Sequence, residues 1–305
     1  MVTMTAVSSS PLKPLRGVRV LSLALNLPGP AAFMRLKALG ATCLKVEPPG
    51  PKSAPTGTSG DPMGQYNPTA YAKLHAGIKV IAADLKSDKG QAALHKELAR
   101  TDVLLTSFRP SALDKLGLSW KKLHKLYPSL SMVAIVGALG ARAEEPGHDL
   151  TYLAEAGLVT GLDLPATLFA DMAGAVMASE AALQAVLVQK TSGKGRFQEV
   201  ALADAATWLA LPRTWGLTQP AGSVGGSHAG YRVYACKDGR VAVAALEPHF
   251  AAALCQAAGV AASDIRSLFK PATHQAIAAF LLTQTRQQLD KLAVAKDIPL
   301  QTLSK

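Results

Sequence analysis

Through its first half the chain alternates short, dense runs of aliphatic residues with longer stretches whose apolar positions recur at helical spacing. "VRVLSLA" (residues 18–24) reads as a strand, and "GPAAFMRLKALG" after it as a helix ending at Gly40. "CLKVE" (43–47) is a second strand, stopped by Pro48, Pro49 and Gly50. "VIAADL", "VLLTSF" and "SMVAIVG" follow as strands, with helices between them near "GQAALHKELAR" and "WKKLHKLYP". Such alternation predicts a mostly parallel sheet with helices on both faces. The stretch from Pro51 to Tyr71, rich in Gly, Pro, Ser and Thr, reads as a long loop near a site.

Beyond this, an Ala-rich helix is predicted from about Asp171 to Val188, then a Gly-rich turn, a short strand and another helix in "TSGKGRFQEVALADAATWLAL". "QPAGSVGGSHAG" (219–230) is the best linker. "YRVYACKDGRVAVAAL" predicts a β-hairpin around Lys237, Asp238 and Gly239, because Asp-Gly between β-branched runs favours a tight turn. Helices are expected to complete the chain. The plan is α/β: a large domain over 1–218 and a smaller α+β domain over 219–279, with residues from about 280 to 305 free to pack back on the large one.

The composition fits a folded globular protein: 305 residues, 49% apolar and 17% charged. A net charge of +11 favours an anionic partner. The cations are scattered, however, with Lys121, Lys122 and Lys125 the densest group, and aromatics are only 5%. A phosphorylated small molecule fits this footprint better than nucleic acid. Cys43, Cys236 and Cys255 are widely spaced without a C-x-x-C, which argues against a disulfide framework or zinc site and for a reducing compartment. "MVTMTAVSSSPLKPLRG" has no apolar leader core, and the apolar run 158–188 is interrupted by Asp163, Asp171 and Glu180. A cytoplasmic protein without a membrane span is expected.

Open parallel sheets bind ligands beyond the carboxyl ends of their strands. That rule gathers "LNLPGP", "EPPGP", "SFRP" and "GALGARAEEPGHD" around one crevice. No G-x-G-x-x-G follows the first strand and no Walker A motif occurs, which argues against the usual dinucleotide and nucleotide-triphosphate sites. "EEPGHDLTYLAEAGL" starts a helix with His148 and Asp149 directly after a Pro-Gly turn. Such residues cap a helix, or are held at its positive end for chemistry: that end disfavours an imidazolium and carries unpaired N–H donors. Asp149 reads as the capping or dipole-pairing residue. Asp171 stands where the helix "MAGAVMASE" would take its N-cap, and Glu247 before Pro248 has the position of a strand end. Taken alone, Lys86, Arg109 and Lys115 are solvated surface charges.

Seven segments in order change that picture. "PLRGVRVLSLALNLPGPAAFMRLKALGATCLKVEPPG", "ADLKSDKGQ", "DVLLTSFRPSALDKLGLSW", "PGHDLTYLAEAGL", "LFADMAGAVMASEAALQAVL", "GKGRFQEVALADAA" and "YRVYACKDGRVAVAALEPHF" together resemble the class III CoA-transferase family, nearest its α-methylacyl-CoA racemase branch. The resemblance implies an interlocked homodimer with a Rossmann-like large domain and a smaller domain. It implies no metal or redox cofactor, with coenzyme A entering as part of an acyl-CoA substrate. It further implies that Ala83, Asp84, Leu85, Lys86, Ser107, Phe108, Arg109, Lys115, Gly147 and Tyr152 contact CoA, whose phosphates call for cations and backbone donors.

Racemases of that family exchange the proton beside the thioester with a His/Asp pair, so the resemblance implies this role for His148 and Asp171, supported by Glu247 from the small domain across the dimer. Exchange with inversion needs one group to take the proton and another to deliver it from the opposite face. In the transferases of the family the equivalent of Asp171 is a nucleophile that forms a mixed anhydride and then an enzyme thioester, with a carboxylate as acceptor. A non-catalytic acyl-CoA-binding subunit is the third reading. Two departures from the family pattern stand out: "GALGARAEEPG" replaces a Gly-x-Gly-Gln loop, and Pro48 stands where an arginine is frequent. The chain is also shorter than typical members, so trimming of the small domain or C-terminal region is expected.

Overall fold

A computed structural model describes residues 12–53, 58–261 and 264–304. Most of the N-terminal stretch read above for a leader, and residues 54–57 of the Gly/Pro-rich stretch, lie outside the described residues. By its contacts the chain divides into Met1–Ala210 and Leu211–Lys305.

The first unit runs β1 (Arg19–Ser22), α1 (Pro28–Ala38), β2 (Thr42–Glu47), α2 (Pro62–Tyr66), α3 (Pro68–Leu74), β3 (Lys79–Ala82), α4 (Asp88–Leu98), β4 (Val103–Thr106), α5 (Pro110–Lys115), α6 (Trp120–Leu126), β5 (Ser131–Val136), α7 (Asp149–Glu155), α8 (Phe169–Ser192), β6 (Phe197–Ala201) and α9 (Leu202–Thr214). Its sheet has the order β3-β2-β1-β4-β5-β6, with every neighbouring pair parallel. Both faces are covered. Val20, Leu105 and Val133 enter a core shared with α1 and α8, while Leu21, Leu104 and Met132 enter one shared with α4, α5 and α6. Strands buried on both faces have no polar side to show, which is why β4 and β5 read as unbroken apolar runs. The chain moves outward from β1 in one direction and from β4 in the other, so a crevice opens where the order reverses.

α8 extends beyond the expected Asp171–Val188 in both directions and has 24 residues. Its length and composition would suffice to cross a membrane. Its small residues Ala170, Gly174, Ala175, Ala178 and Ala182 are instead buried, where it packs on α1 and β5. A Cβ at Gly174 would stand 2.3 Å from Leu202 Cδ2, so glycine permits this close approach.

The expected long loop over Pro51–Tyr71 gives way to helices in its second half. Asp61 accepts from the Met63 N–H (3.0 Å) and Asn67 from the Ala70 N–H (3.0 Å), and each cap is followed by proline at the first helical position. Both are helix-start signals, hidden here in a composition that reads as loop.

The second unit contains the expected hairpin, β7 (Tyr231–Cys236) and β8 (Gly239–Ala244), then α10 (Pro248–Ala257), α11 (Pro271–Thr283), α12 (Arg286–Lys296) and β9 (Leu300–Leu303). β9 pairs antiparallel with β8, from Val243 opposite Leu300 to Arg240 opposite Leu303. Residues after 280 are thus built into the second unit's own sheet, and the division falls inside α9 instead of after residue 218. A four-residue strand carries too few positions for its period to show in sequence.

Candidate active site

The loops after β1, β4 and β5 meet the starts of α7 and α8 in a cleft lined by Leu25, Asn26, Ser107, Phe108, Arg109, Gly137, Glu145, Gly147, His148, Tyr152 and Asp171. Of the four loops expected there, "LNLPGP", "SFRP" and "GALGARAEEPGHD" contribute. "EPPGP" does not line it: Glu47 is buried and accepts from the hydroxyls of Ser59 (2.7 Å) and Tyr71 (2.9 Å).

His148 is the N-cap residue of α7, with extended backbone and an exposed side chain. Its N–H donates to Thr151 Oγ1 (3.1 Å), whose hydroxyl donates back to the His148 carbonyl (2.7 Å). Thr151 therefore occupies the donor that the sequence left free for a ligand.

Asp149 caps a helix, but not its own. Its buried Oδ1 accepts from the Asp171 N–H (3.0 Å) in the first turn of α8, where the N-cap residue Leu168 has no acceptor to offer. The same contact brings two carboxylates together. Burial, and secondly the Asp149 charge, push the Asp171 carboxyl from 3.8 up to about 7. A helix N-terminus favours the anion; burial outweighs it here. Replacing Asp149 by Asn keeps an acceptor oxygen and removes the charge, so the Asp171 titration should move to lower pH. The limb of the pH–rate profile governed by Asp171 is expected to follow; a limb that stays in place would show that Asp149 does not tune it.

The departure loop is firmly held. Its 3₁₀ turn, Gly140–Glu144, places Glu144 to accept from the N–H (2.7 Å) and hydroxyl (2.8 Å) of Ser111, which hold its carboxyl below the usual range. Arg142 grips Glu155 with both terminal nitrogens (2.8 and 3.0 Å), so the loop ties α5 to α7. Gly147 and Gly137 make room for the buried Tyr152: a Cβ at either would stand 2.4 or 2.3 Å from the phenol oxygen.

The remaining expected CoA residues divide by place. Ser107, Phe108 and Arg109 line the cleft, whereas Leu85, Lys86 and Lys115 line a second concavity with Gln91 and Lys122. α5 joins the two, and its six residues span roughly 9 Å. Ala83 and Asp84 form the turn before Lys86: the Ala83 N–H donates to the Glu47 carbonyl (2.9 Å), and Asp84 Oδ1 accepts from the Lys86 N–H (3.0 Å). Gln91, which sequence reasoning missed, donates to the carbonyls of Leu85 (2.6 Å) and Leu116 (3.0 Å), bracing the second concavity. Glu247 belongs to the second unit, as N-cap residue of α10 ahead of Pro248.

A family description, CoA-transferase family III, matches residues 15–305. The chain belongs to that family. A probable fatty acyl-CoA transferase of Mycobacterium tuberculosis is 34% identical over 66% of this chain and 54% of its own length. The α-methylacyl-CoA racemase of Mus musculus is 29% identical over 83% of this family member and 67% of the racemase. A Chloroflexus aurantiacus succinyl-CoA–D-citramalate CoA-transferase is 32% identical over 64% of the chain and 50% of its own length. The chain thus spans about half the length of these transferases. A crystal structure from Mycobacterium tuberculosis matches with a TM-score of 0.82 at 25% identity, covering 97% of this chain and 86% of that one. A CaiB/BaiF family protein of Brucella suis has the same fold (TM-score 0.74, 23% identity, 96% and 85% covered). The relatives matched by this family member thus include both an α-methylacyl-CoA racemase and CoA-transferases.

Proposed function

We propose that the chain exchanges the α-proton of a 2-methylacyl-CoA thioester, with His148 and Asp171 as the acid–base pair. The observation that carries this reading is the Asp171 carboxyl, raised to about 7 in the cleft that His148 also lines. A proton carrier works best when its pKa lies near the working pH, since it must both accept and release the proton within one cycle. A nucleophilic carboxylate, by contrast, gains nothing from being half protonated. In this reading His148 removes the α-proton from one face, Asp171 delivers one to the other, and return through the enolate scrambles the centre. Arg109 and Ser107 hold the pantetheine end, while Lys86 and Lys115 neutralise the CoA phosphates at the far side of α5. Coenzyme A enters only as part of the substrate. The resemblance adds Glu247, reaching the site from the small domain of a partner in a homodimer.

The second reading is the chemistry named for the transferases matched above, in which Asp171 attacks the acyl-CoA and a carboxylate acceptor takes the CoA. Incubation in D₂O with 2-methylacyl-CoA thioesters, with and without succinate, separates the two by mass spectrometry. Deuterium at C2 without acceptor is expected. A new CoA thioester formed only with acceptor, and no deuterium, would assign transfer instead.

A further inference from the structure

Beneath the cleft lies a group of charges that the proton-exchange reading does not use. Lys45 is fully buried on β2. Its Nζ pairs with Asp61 Oδ2 (2.5 Å), Glu47 Oε2 (3.4 Å) and His75 Nε2 (3.0 Å). The assignment of His75 follows from its partners. Lys45 has only protons to give, so Nε2 accepts, and Nδ1–H donates to the Tyr71 carbonyl (2.7 Å). Glu47 takes the hydroxyls of Ser59 and Tyr71, and the Tyr71 ring lies 4.1 Å from that of His75. Every charge is paired, which is the condition under which a buried polar network is rigid.

One contact leads out of the network. Asp61 Oδ1 accepts from the Asn26 N–H (3.1 Å) as well as from the Met63 N–H. Asn26 has φ 61°, a left-handed conformation that non-glycine residues seldom adopt, although Asn tolerates it better than most. The next N–H toward β1, that of Leu25, donates to Ser107 Oγ (3.1 Å). Two consecutive amides are therefore held by side chains from distant segments, and the residue so fixed lines the same cleft as His148 and Asp171. The Asn26 carboxamide has no hydrogen-bond partner among the described residues. A strained, doubly anchored backbone that presents an unengaged amide to a reaction cleft has the form of a preorganised ligand contact.

We propose that Asn26 is a further residue of the reaction site, its carboxamide donating to the thioester oxygen, and that Asp61, backed by buried Lys45, is the positioning residue that holds it there. The assignment rests on the proton-exchange reading for the chemistry, but its geometry is independent of it. In the exchange step the carboxamide N–H would meet the oxygen on which negative charge gathers as His148 takes the α-proton. A donor placed in advance needs no reorganisation at that moment.

Asn26→Gly is the decisive variant, because glycine accepts the left-handed φ without steric cost and removes the carboxamide with its Cβ. Its thermal unfolding is expected to match the wild type. Its kcat for deuterium exchange should fall on the order of 100-fold, with KM, and Kd for a 2-methylacyl-CoA by calorimetry, each raised about threefold. Asp61→Ala should lower kcat in the same direction and speed amide exchange across residues 24–27, whereas Asp61→Asn, which keeps an acceptor for the Asn26 N–H, should recover part of the loss. If the Asp61 variants do not fold, Asn26→Gly alone carries the test. Wild-type kcat in Asn26→Gly, in a protein that His148→Ala inactivates, overturns the role of Asn26 and leaves the exchange reading standing. If the wild type exchanges no deuterium, that reading fails by itself, and an unchanged Kd in Asn26→Gly then overturns this assignment too.

Discussion

In the Asp171→Asn protein, proton exchange is expected to fall by about 10³-fold or more, while the fold becomes more stable at alkaline pH. Both effects have one origin, the carboxyl held at about 7 by burial and by Asp149. The unfolded chain releases this proton near the ordinary value of 3.8, and the folded chain keeps it until about 7. Between those values the unfolded state binds fewer protons, so stability declines as pH rises, and above 7 the full penalty remains. Asparagine cannot ionise and escapes it. The interval corresponds to roughly 4 kcal/mol as an upper bound, and about 2 kcal/mol is a reasonable expectation after partial screening. Urea unfolding at pH 4 and pH 8 checks the claim: the variant should gain on the wild type at pH 8 and not at pH 4. An equal difference at both would mean that Asp171 is not held protonated.

His148→Ala should separate the two chemistries the family performs. Losing one of two proton carriers is expected to lower α-proton exchange by about 10²–10⁴-fold. Any CoA transfer through Asp171 should stay within about threefold of wild type, since anhydride formation at a carboxylate does not route a proton through the imidazole. Full deuterium incorporation in His148→Ala would remove the histidine from the mechanism. Loss of both activities would indicate that His148 places the thioester. Its exposed side chain makes gross unfolding of the variant an unexpected result.

The parallel sheet was legible because its strands are buried on both faces and its helices keep their periodicity, so apolar density and spacing agree. Three of the four expected cleft loops were legible because strand ends in such a sheet converge. What stayed hidden depends on residues that act at a distance along the chain. Nothing in the sequence around Asp149 says that it caps α8 and not α7, for the answer lies in Leu168 lacking an acceptor. Asn26 looks like an ordinary turn residue until its φ is known, and Gln91 looks like the polar side of α4 until its two carbonyl partners are. Lys45 interrupts the aliphatic residues of β2 with a charge, and only the fold supplies the carboxylates that make its burial tolerable.

The amides that line the cleft or brace its loops are satisfied by groups far away in sequence: Ser111 by Glu144, Asp171 by Asp149, Leu25 by Ser107, Asn26 by Asp61. None of these loops can fray alone without leaving another's donor bare. The rim should therefore open as one cooperative unit, with these N–H groups sharing a single protection factor against solvent exchange well above that of ordinary surface loops. Catalytic precision of this kind is a collective property of the rim, and a lesion in any one of its four ties should loosen the other three.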